Sequence, residues 1–171
     1  MARSPERGRV PGLYGHAVEF TCWTDEAAPV PGRELNAREC GRVEERARRV
    51  SRWCRRYLGE VPQPAPDARA LDAIWAGWLG DRDAGRPALD DTVEVLAAAF
   101  GEFLRAELAM DWIEILDGSG SAWAVRSQDG RLTVCPEWVI RKRISTRDAR
   151  PFGDVFAFVR SEIERGRGLR V

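Results

Sequence analysis

Few side chains in this sequence are of a type and spacing that could do chemistry. His16 is the single histidine, and Cys22, Cys40, Cys54 and Cys135 form no C-x-x-C pair. A tetrahedral zinc site would have to be gathered entirely from distant positions. An imidazole titrates near neutrality without help, but His16 follows Gly15 in an arginine-, glycine- and proline-rich stretch that offers no orienting partner. Asp90, Asp91 and Glu94 could be paired carboxylates or ligands for magnesium. Acidic residues are also what capping and the macrodipole select in the first turn of a helix, and that reading is the simpler one. Ser119 and Ser121, in Gly118-Ser-Gly-Ser-Ala122, lack the strand-to-helix context that makes a serine nucleophilic and read as a hairpin turn. No catalytic residue, metal or cofactor is expected.

The basic side chains carry more information. Of 27 basic residues, all but Lys142 are arginine. Arg141, Lys142 and Arg143, followed by Arg147 and Arg150, could contact phosphate or an acidic protein surface. The plainer expectation is that Lys142 or Arg143 pairs with an acid of the neighbouring strand, Asp111 or Glu114. Between residues 38 and 56 eight arginines face three glutamates, and Trp53 and Tyr57 lie nearby. Arginine beside an aromatic ring can stack bases. Tyr57, however, lies on an apolar stripe and Trp53 borders it, which assigns both to the core. Charge is polarised along the chain: residues 1–59 carry +4, residues 60–120 carry −9 and residues 121–171 carry +5, for a formal total of zero. That neutrality falls short of the basic balance of a dedicated nucleic-acid binder.

The elements that must position these groups follow from periodicity. Residues 1–16 show no period and read as an arm. A short strand is expected at Ala17–Trp23, ended by Pro29-Val-Pro-Gly32. Cys40, Val43, Ala47, Val50, Cys54 and Tyr57 recur at helical spacing, predicting one helix over 34–58 with its two thiols buried as ordinary hydrophobes. Pro62, Pro64 and Pro66 form a stiff connector. Asp67 should cap a second helix, with Leu71, Ile74, Trp75, Trp78 and Leu79 inward, ending at Gly80. Asp90 or Asp91 should cap a third, running to Met110 with Val93, Leu96, Ala97, Phe100, Leu104 and Leu108 buried. Its small residues, Ala97, Ala98, Ala99 and Gly101, make it the candidate central helix. From Trp112 the period becomes that of strands, at Trp112–Leu116, Ala122–Arg126 and Leu132–Cys135. A helical turn then opens at Pro136, and a final amphipathic helix begins at Pro151.

The expected class is α+β: three helices, a small antiparallel meander and a C-terminal helix. An arm over 1–33 precedes a single domain over 34–171. At 171 residues with 44% apolar composition and seven tryptophans, the chain can bury a sizeable core unaided. The densest apolar run, Val95–Leu104, is broken by Gly101 and Glu102 and is far shorter than the roughly 20 residues a membrane helix needs. The N-terminus starts basic without an apolar signal core. A cytoplasmic protein is expected, with no membrane association.

Five pieces in this order carry a resemblance: Leu71-Asp-Ala-Ile-Trp75, Phe100-Gly-Glu-Phe-Leu104, Asp111-Trp-Ile-Glu-Ile115, a glycine-rich hairpin, and Cys135-Pro-Glu-Trp-Val-Ile-Arg-Lys-Arg-Ile144. Over roughly 35–164 the chain resembles an uncharacterised bacterial family, domain of unknown function 3806. The last piece, with its Pro-x-x-x-Ile-x-Lys-Arg pattern, is the most specific. The chain departs from the family by lacking a glutamine near Ile74 and Trp75 and by its N-terminal arm. The resemblance implies the order of elements and no reaction, ligand or catalytic residue.

The functional expectation is therefore a non-enzymatic interaction domain of the immunity, adaptor or accessory kind. It would bind a charge-complementary protein, an acidic one on the arginine helix at Arg46, Arg49 and Arg56 or a basic one on residues 81–117, with Arg141, Lys142 and Arg143 as further candidate binding residues, since segregated charge steers association and selects partners. A second reading is a small-molecule or nucleotide binder with a pocket between the sheet and the third helix, lined by Lys142, Arg143, Trp112 and Trp123. A third is nucleic-acid binding through the arginine-rich helix.

Overall fold

The computed structural model describes residues 9–11, 17–19, 31–117, 120–144 and 146–168. The first two segments are short antiparallel strands, β1 (Arg9–Pro11) and β2 (Ala17–Glu19), paired as Arg9↔Glu19 through Pro11↔Ala17. β2 falls within the expected strand at 17–23, whose remaining residues lie outside those described, while β1 falls in the stretch read as aperiodic. Cys22, His16 and Ser119 also lie outside.

Residues 32 and 33, read as the end of the arm, belong to the main sheet. β3 (Gly32–Glu34) pairs with β4 (Met110–Asp117), β4 with β5 (Gly120–Ser127) and β5 with β6 (Thr133–Val134), all antiparallel, in spatial order β3-β4-β5-β6. The expected three-strand meander is thus a four-stranded sheet. No periodicity in a three-residue strand could announce β3. What permits it is Gly32, where a Cβ would lie 2.8 Å from the Glu114 carbonyl oxygen.

The single helix expected over 34–58 is two helices, α1 (Ala37–Arg48) and α2 (Val50–Tyr57). It starts later because Asn36 caps it. Asn36 Oδ1 accepts from the Glu39 N–H at 3.0 Å, and Glu39 accepts from the Asn36 N–H at 2.9 Å, a reciprocal box that satisfies two orphan donors. It is interrupted at Arg49, whose N–H bonds the Arg46 carbonyl three residues back, a tighter turn than the α-helix. The apolar stripe survives the break, with Val43, Val50, Trp53 and Cys54 buried.

α3 (Ala68–Gly80) is capped by Asp67, which accepts from the Ala70 N–H at 2.8 Å, as expected. α4 (Leu89–Leu108) differs at its start: the cap position is Ala88, with no side-chain cap, and Asp90 and Asp91 sit inside the first turn. There they face the positive end of the helix and carry the ion pairs described below. It ends before Met110 because Ala109 turns left-handed at φ 53°. The helical turn after Pro136 is a full helix, α5 (Pro136–Ile144), and α6 (Pro151–Gly168) follows.

α4 is the central element. It packs against α1, α5, α3, α6 and both long strands. Trp112 packs against it because Gly101 has no side chain: a Cβ there would lie 2.1 Å from the indole. The core contains Leu71, Ile74, Trp75, Leu96, Phe100, Leu104, Phe152 and Val155, with Phe152 edge-on to Phe100 at 5.0 Å. Fully burying each such side chain contributes about 1.5–3 kcal/mol. The opposite face of the sheet buries a smaller cluster, Ile113, Ile115, Ala124 and Cys135, against Ala122 and Trp138. The overall class is the α+β expected.

Candidate interaction surface

The arginines singled out by sequence are mostly engaged inside the molecule. Arg46 pairs with Glu94 at 2.6 Å and lies 4.7 Å over the Trp123 ring. Arg49 pairs with Asp91. Arg56 gives two hydrogen bonds to Asp81, at 3.0 and 2.8 Å, and Tyr57 gives a third at 2.9 Å. Asp81 is held below its ordinary carboxylate range, first by the Asp83 N–H and then by Arg56. Burial, then Asp81, pushes the Tyr57 phenol up. Tyr57 also seats its ring on Gly77, 3.0 Å from where a Cβ would stand. These contacts clamp α1 and α2 to α4 and to the α3–α4 loop.

The second basic group behaves the same way. Arg141 reaches Glu137 at 2.7 Å and Asp90 at 3.0 Å. Arg143 is buried, pairing with Asp148 at 3.0 Å and donating to the Val139 carbonyl at 3.0 Å. Asp148 is therefore a partner of Arg143, and Glu114 is a partner of Arg33, at 2.5 Å, where Asp111 or Glu114 had been the expected acids for Lys142 or Arg143. Lys142 is exposed on α5. Arg33 adds a bidentate pair with Glu39, at 2.8 and 2.7 Å, which holds that carboxyl down at about 2.

The two tryptophans assigned to a pocket have separate tasks. Trp112 is buried and donates to Glu102 at 2.7 Å. Trp123 is half-buried beneath Arg42 and Arg46, and its carbonyl accepts from the Cys135 thiol at 3.4 Å. They share a sheet face, since Trp112 pairs with Val125 and Glu114 with Trp123. Arg143 is committed to its own helix and loop. Trp53, the other aromatic weighed for base stacking, is core, 1% exposed and donating to Thr92 Oγ1 at 3.2 Å. Among the described residues no three His, Cys, Asp or Glu side chains gather as metal ligands, and no helix is long and apolar enough to cross a membrane.

The sequence reading took the eight arginines of 38–56 together; the structure separates the paired ones from an outward face of the same helices. Arg38, Gly41, Glu45, Arg48, Arg52 and Arg55 recur at 3,4,3,4,3 spacing, opposite the apolar stripe, and all six are exposed. Arg48 pairs with Glu44 at 3.0 Å, an i,i+4 pair of the surface kind. Arg38, Arg52 and Arg55 make no ion pair among the described residues. Arg69, Arg82, Arg86, Arg147 and Arg150 share that property, but Arg69 stands alone on α3, Arg82 and Arg86 lie on the α3–α4 loop, where Arg86 covers the Trp78 ring, and Arg147 and Arg150 lie on the α5–α6 loop. The α1–α2 stripe is a grouped cationic surplus, roughly 25 Å long at 1.5 Å per residue. Its signal was present in the sequence as a second period on the same helix.

Asp72 was missed. It is 7% exposed on α3 and accepts the N–H groups of Phe152 at 2.9 Å and Gly153 at 3.0 Å, two of the orphan donors at the start of α6. A Cβ on residue 153 would lie 2.8 Å from its Oδ2, so glycine permits the contact. Burial pushes this carboxyl up to about 6, against the downward pull of the two N–H groups.

The fold and this surface define an α+β domain organised on one central helix, with a cationic helical face turned to solvent. Residues 67–151 match the family model described as Domain of unknown function (DUF3806), and the chain resembles that family over this stretch. The matched stretch is narrower than the 35–164 expected from the sequence pieces. It runs from the cap of α3 to the first residue of α6 and excludes the arginine helices. No curated protein and no solved structure matches the chain.

Proposed function

We propose that the protein is an interaction domain that binds an acidic surface of a protein partner through the solvent face of α1 and α2. The observation that supports this is the exposed stripe of Arg38, Arg48, Arg52 and Arg55, three of which have no carboxylate partner among the described residues. An arginine already paired with its own chain must lose that pair before it serves a partner. An arginine facing water brings its charge to an encounter at little reorganisation cost, which favours fast, salt-sensitive association. The face thus differs from the Arg46, Arg49 and Arg56 set first expected, which is paired with Glu94, Asp91 and Asp81.

The test is capture of tagged protein partners from lysate of the source cells at low and moderate salt, comparing wild type with Arg48→Glu/Arg52→Glu/Arg55→Glu. A stoichiometric protein retained by wild type, released by moderate salt and absent from the triple variant is the expected result. Reversing acidic residues on that protein should restore its retention by the variant. Equal retention by both would refute the assignment. Arg46→Glu/Arg49→Glu should instead lower thermal stability, because it sets like charges against Glu94 and Asp91.

A further inference from the structure

Gly41 stands inside α1, four residues after its first, at an exposed position where a Cβ would meet no atom within 4 Å among the described residues. A glycine in a helix interior is unfavourable by roughly 1 kcal/mol relative to alanine. Gly101, Gly77 and Gly153 each admit a neighbour, Trp112, Tyr57 and Asp72 in turn. Gly41 admits nothing within the described fold, yet it lies on the cationic stripe near its N-terminal end, three residues after Arg38 and four before Glu45.

We infer that Gly41 marks the crossing point of an acidic α-helix belonging to a partner protein. This inference rests on the charged-face reading and specifies the partner's form. The dimensions agree. Arg38 and Arg48 are ten residues apart, roughly 15 Å along the axis, and a helix with its side chains is about 10–12 Å across. A helix laid over Gly41 and Glu45 is therefore flanked by an arginine on either side, with Arg52 and Arg55 reaching it further along. The missing side chain lets the two backbones approach, as small residues do at close helix crossings. Acids on both flanks of the incoming helix meet Arg38 and Arg48, and a single basic residue at its centre meets Glu45. An extended acidic segment or a nucleic-acid strand would gain nothing from a notch at one residue.

The probes are two synthetic peptides of identical glutamate-rich, alanine-based sequence, one held helical by i,i+4 side-chain cross-links and one with D-residues that prevent a helix. A single-stranded oligonucleotide of equal charge is the third. Binding to the full chain is measured at low salt, for wild type, Gly41→Ala, Gly41→Leu and the Arg48→Glu/Arg52→Glu/Arg55→Glu variant. The helical peptide should bind wild type about tenfold more tightly than its non-helical twin, and Gly41→Leu should remove about that factor, the effect of overfilling a close contact. Gly41→Ala should raise the urea midpoint of the free protein while weakening the helical peptide, a pairing that a residue without a partner would not produce. Equal binding of both peptides, tightest binding of the oligonucleotide, or no binding of any probe overturns the inference. Loss of binding in the arginine variant with none in Gly41→Leu would leave the charged face standing and remove the helix. Loss in neither would remove both.

Discussion

Asp72 gives the sharpest numerical prediction, because one carboxylate ties α3 to the start of α6 across 80 residues of sequence. Two influences oppose each other there. The N–H groups of Phe152 and Gly153 stabilise the charged form, whereas removal from water disfavours it, and the burial is the larger. Asp154 also favours the proton and Arg150 opposes it. With the folded carboxyl at about 6 and the unfolded one at 3.8, the native state binds the proton more tightly between those values. The contribution of Asp72 to stability is therefore complete below about pH 4 and declines as pH rises through 6. At 1.36 kcal/mol per pH unit the decline amounts to about 3 kcal/mol. Other groups run the opposite way: Glu39 and Asp81 are held low, so their contributions appear above their unfolded values and are lost in acid. The difference between wild type and Asp72→Asn isolates the one group. Urea unfolding of both proteins at intervals from pH 4 to 7.5 should show the wild-type advantage shrinking by up to about 3 kcal/mol. Asparagine can accept only one of the two N–H groups and has no charge to titrate. Parallel curves for the two proteins, or a carboxyl carbon resonance of Asp72 with its midpoint at 4 or below, would refute the claim that burial dominates.

Two further outcomes follow from the packing. Gly101→Ala places a methyl 2.1 Å from the Trp112 ring and should destabilise the protein by about 1–3 kcal/mol, with a change in tryptophan fluorescence; an unchanged urea midpoint would mean that the α4–β4 contact is looser than described. Residues 67–151 made alone should lack a cooperative unfolding transition in calorimetry, since that stretch gives up the Trp53 bond to Thr92, the ring of Tyr57 on Gly77 and the N–H groups on Asp72; a sharp transition would show that it folds without its flanks.

The helices were legible where their apolar residues recur and their caps are polar, as with Asp67 and the stripe from Cys40 to Tyr57. What escaped was set by tertiary contact. β3 is three residues long and exposed on every side chain, so its pairing with β4 leaves no apolar alternation to read. The break at Arg49 lies between residues whose spacing continues the stripe on both sides. Asn36-Ala-Arg-Glu39 is a capping box that could have been read from its spacing alone. Asp72 could have been suspected as a polar residue beside Leu71 on the inward face of α3. Its partners, however, are backbone groups 80 residues away, which no local pattern encodes. The same limit applies to the site residues: an arginine's type is local, but whether it is already engaged depends on what the fold sets beside it.

The charge polarity of the chain shows how that distinction matters. Arg33, Arg46, Arg49 and Arg56 come from the positive N-terminal third, Arg141 comes from the positive C-terminal third, and their partners Glu114, Glu94, Asp91, Asp81 and Asp90 all come from the negative middle. The segregation along the sequence becomes alternation in space, and much of it is consumed in orienting α1, α2, α5 and β3 about the middle segment. Exposed pairs of this kind each contribute at most about 1 kcal/mol to stability, but like charges in the wrong arrangement repel, so they select one docking of the elements over others. A charge imbalance in one third of a chain therefore says little about partners until the internal pairs are subtracted. After that subtraction Arg38, Arg52 and Arg55 remain, with Arg48, along the outer face of α1 and α2, where a helix-interior glycine that meets no neighbour among the described residues interrupts them.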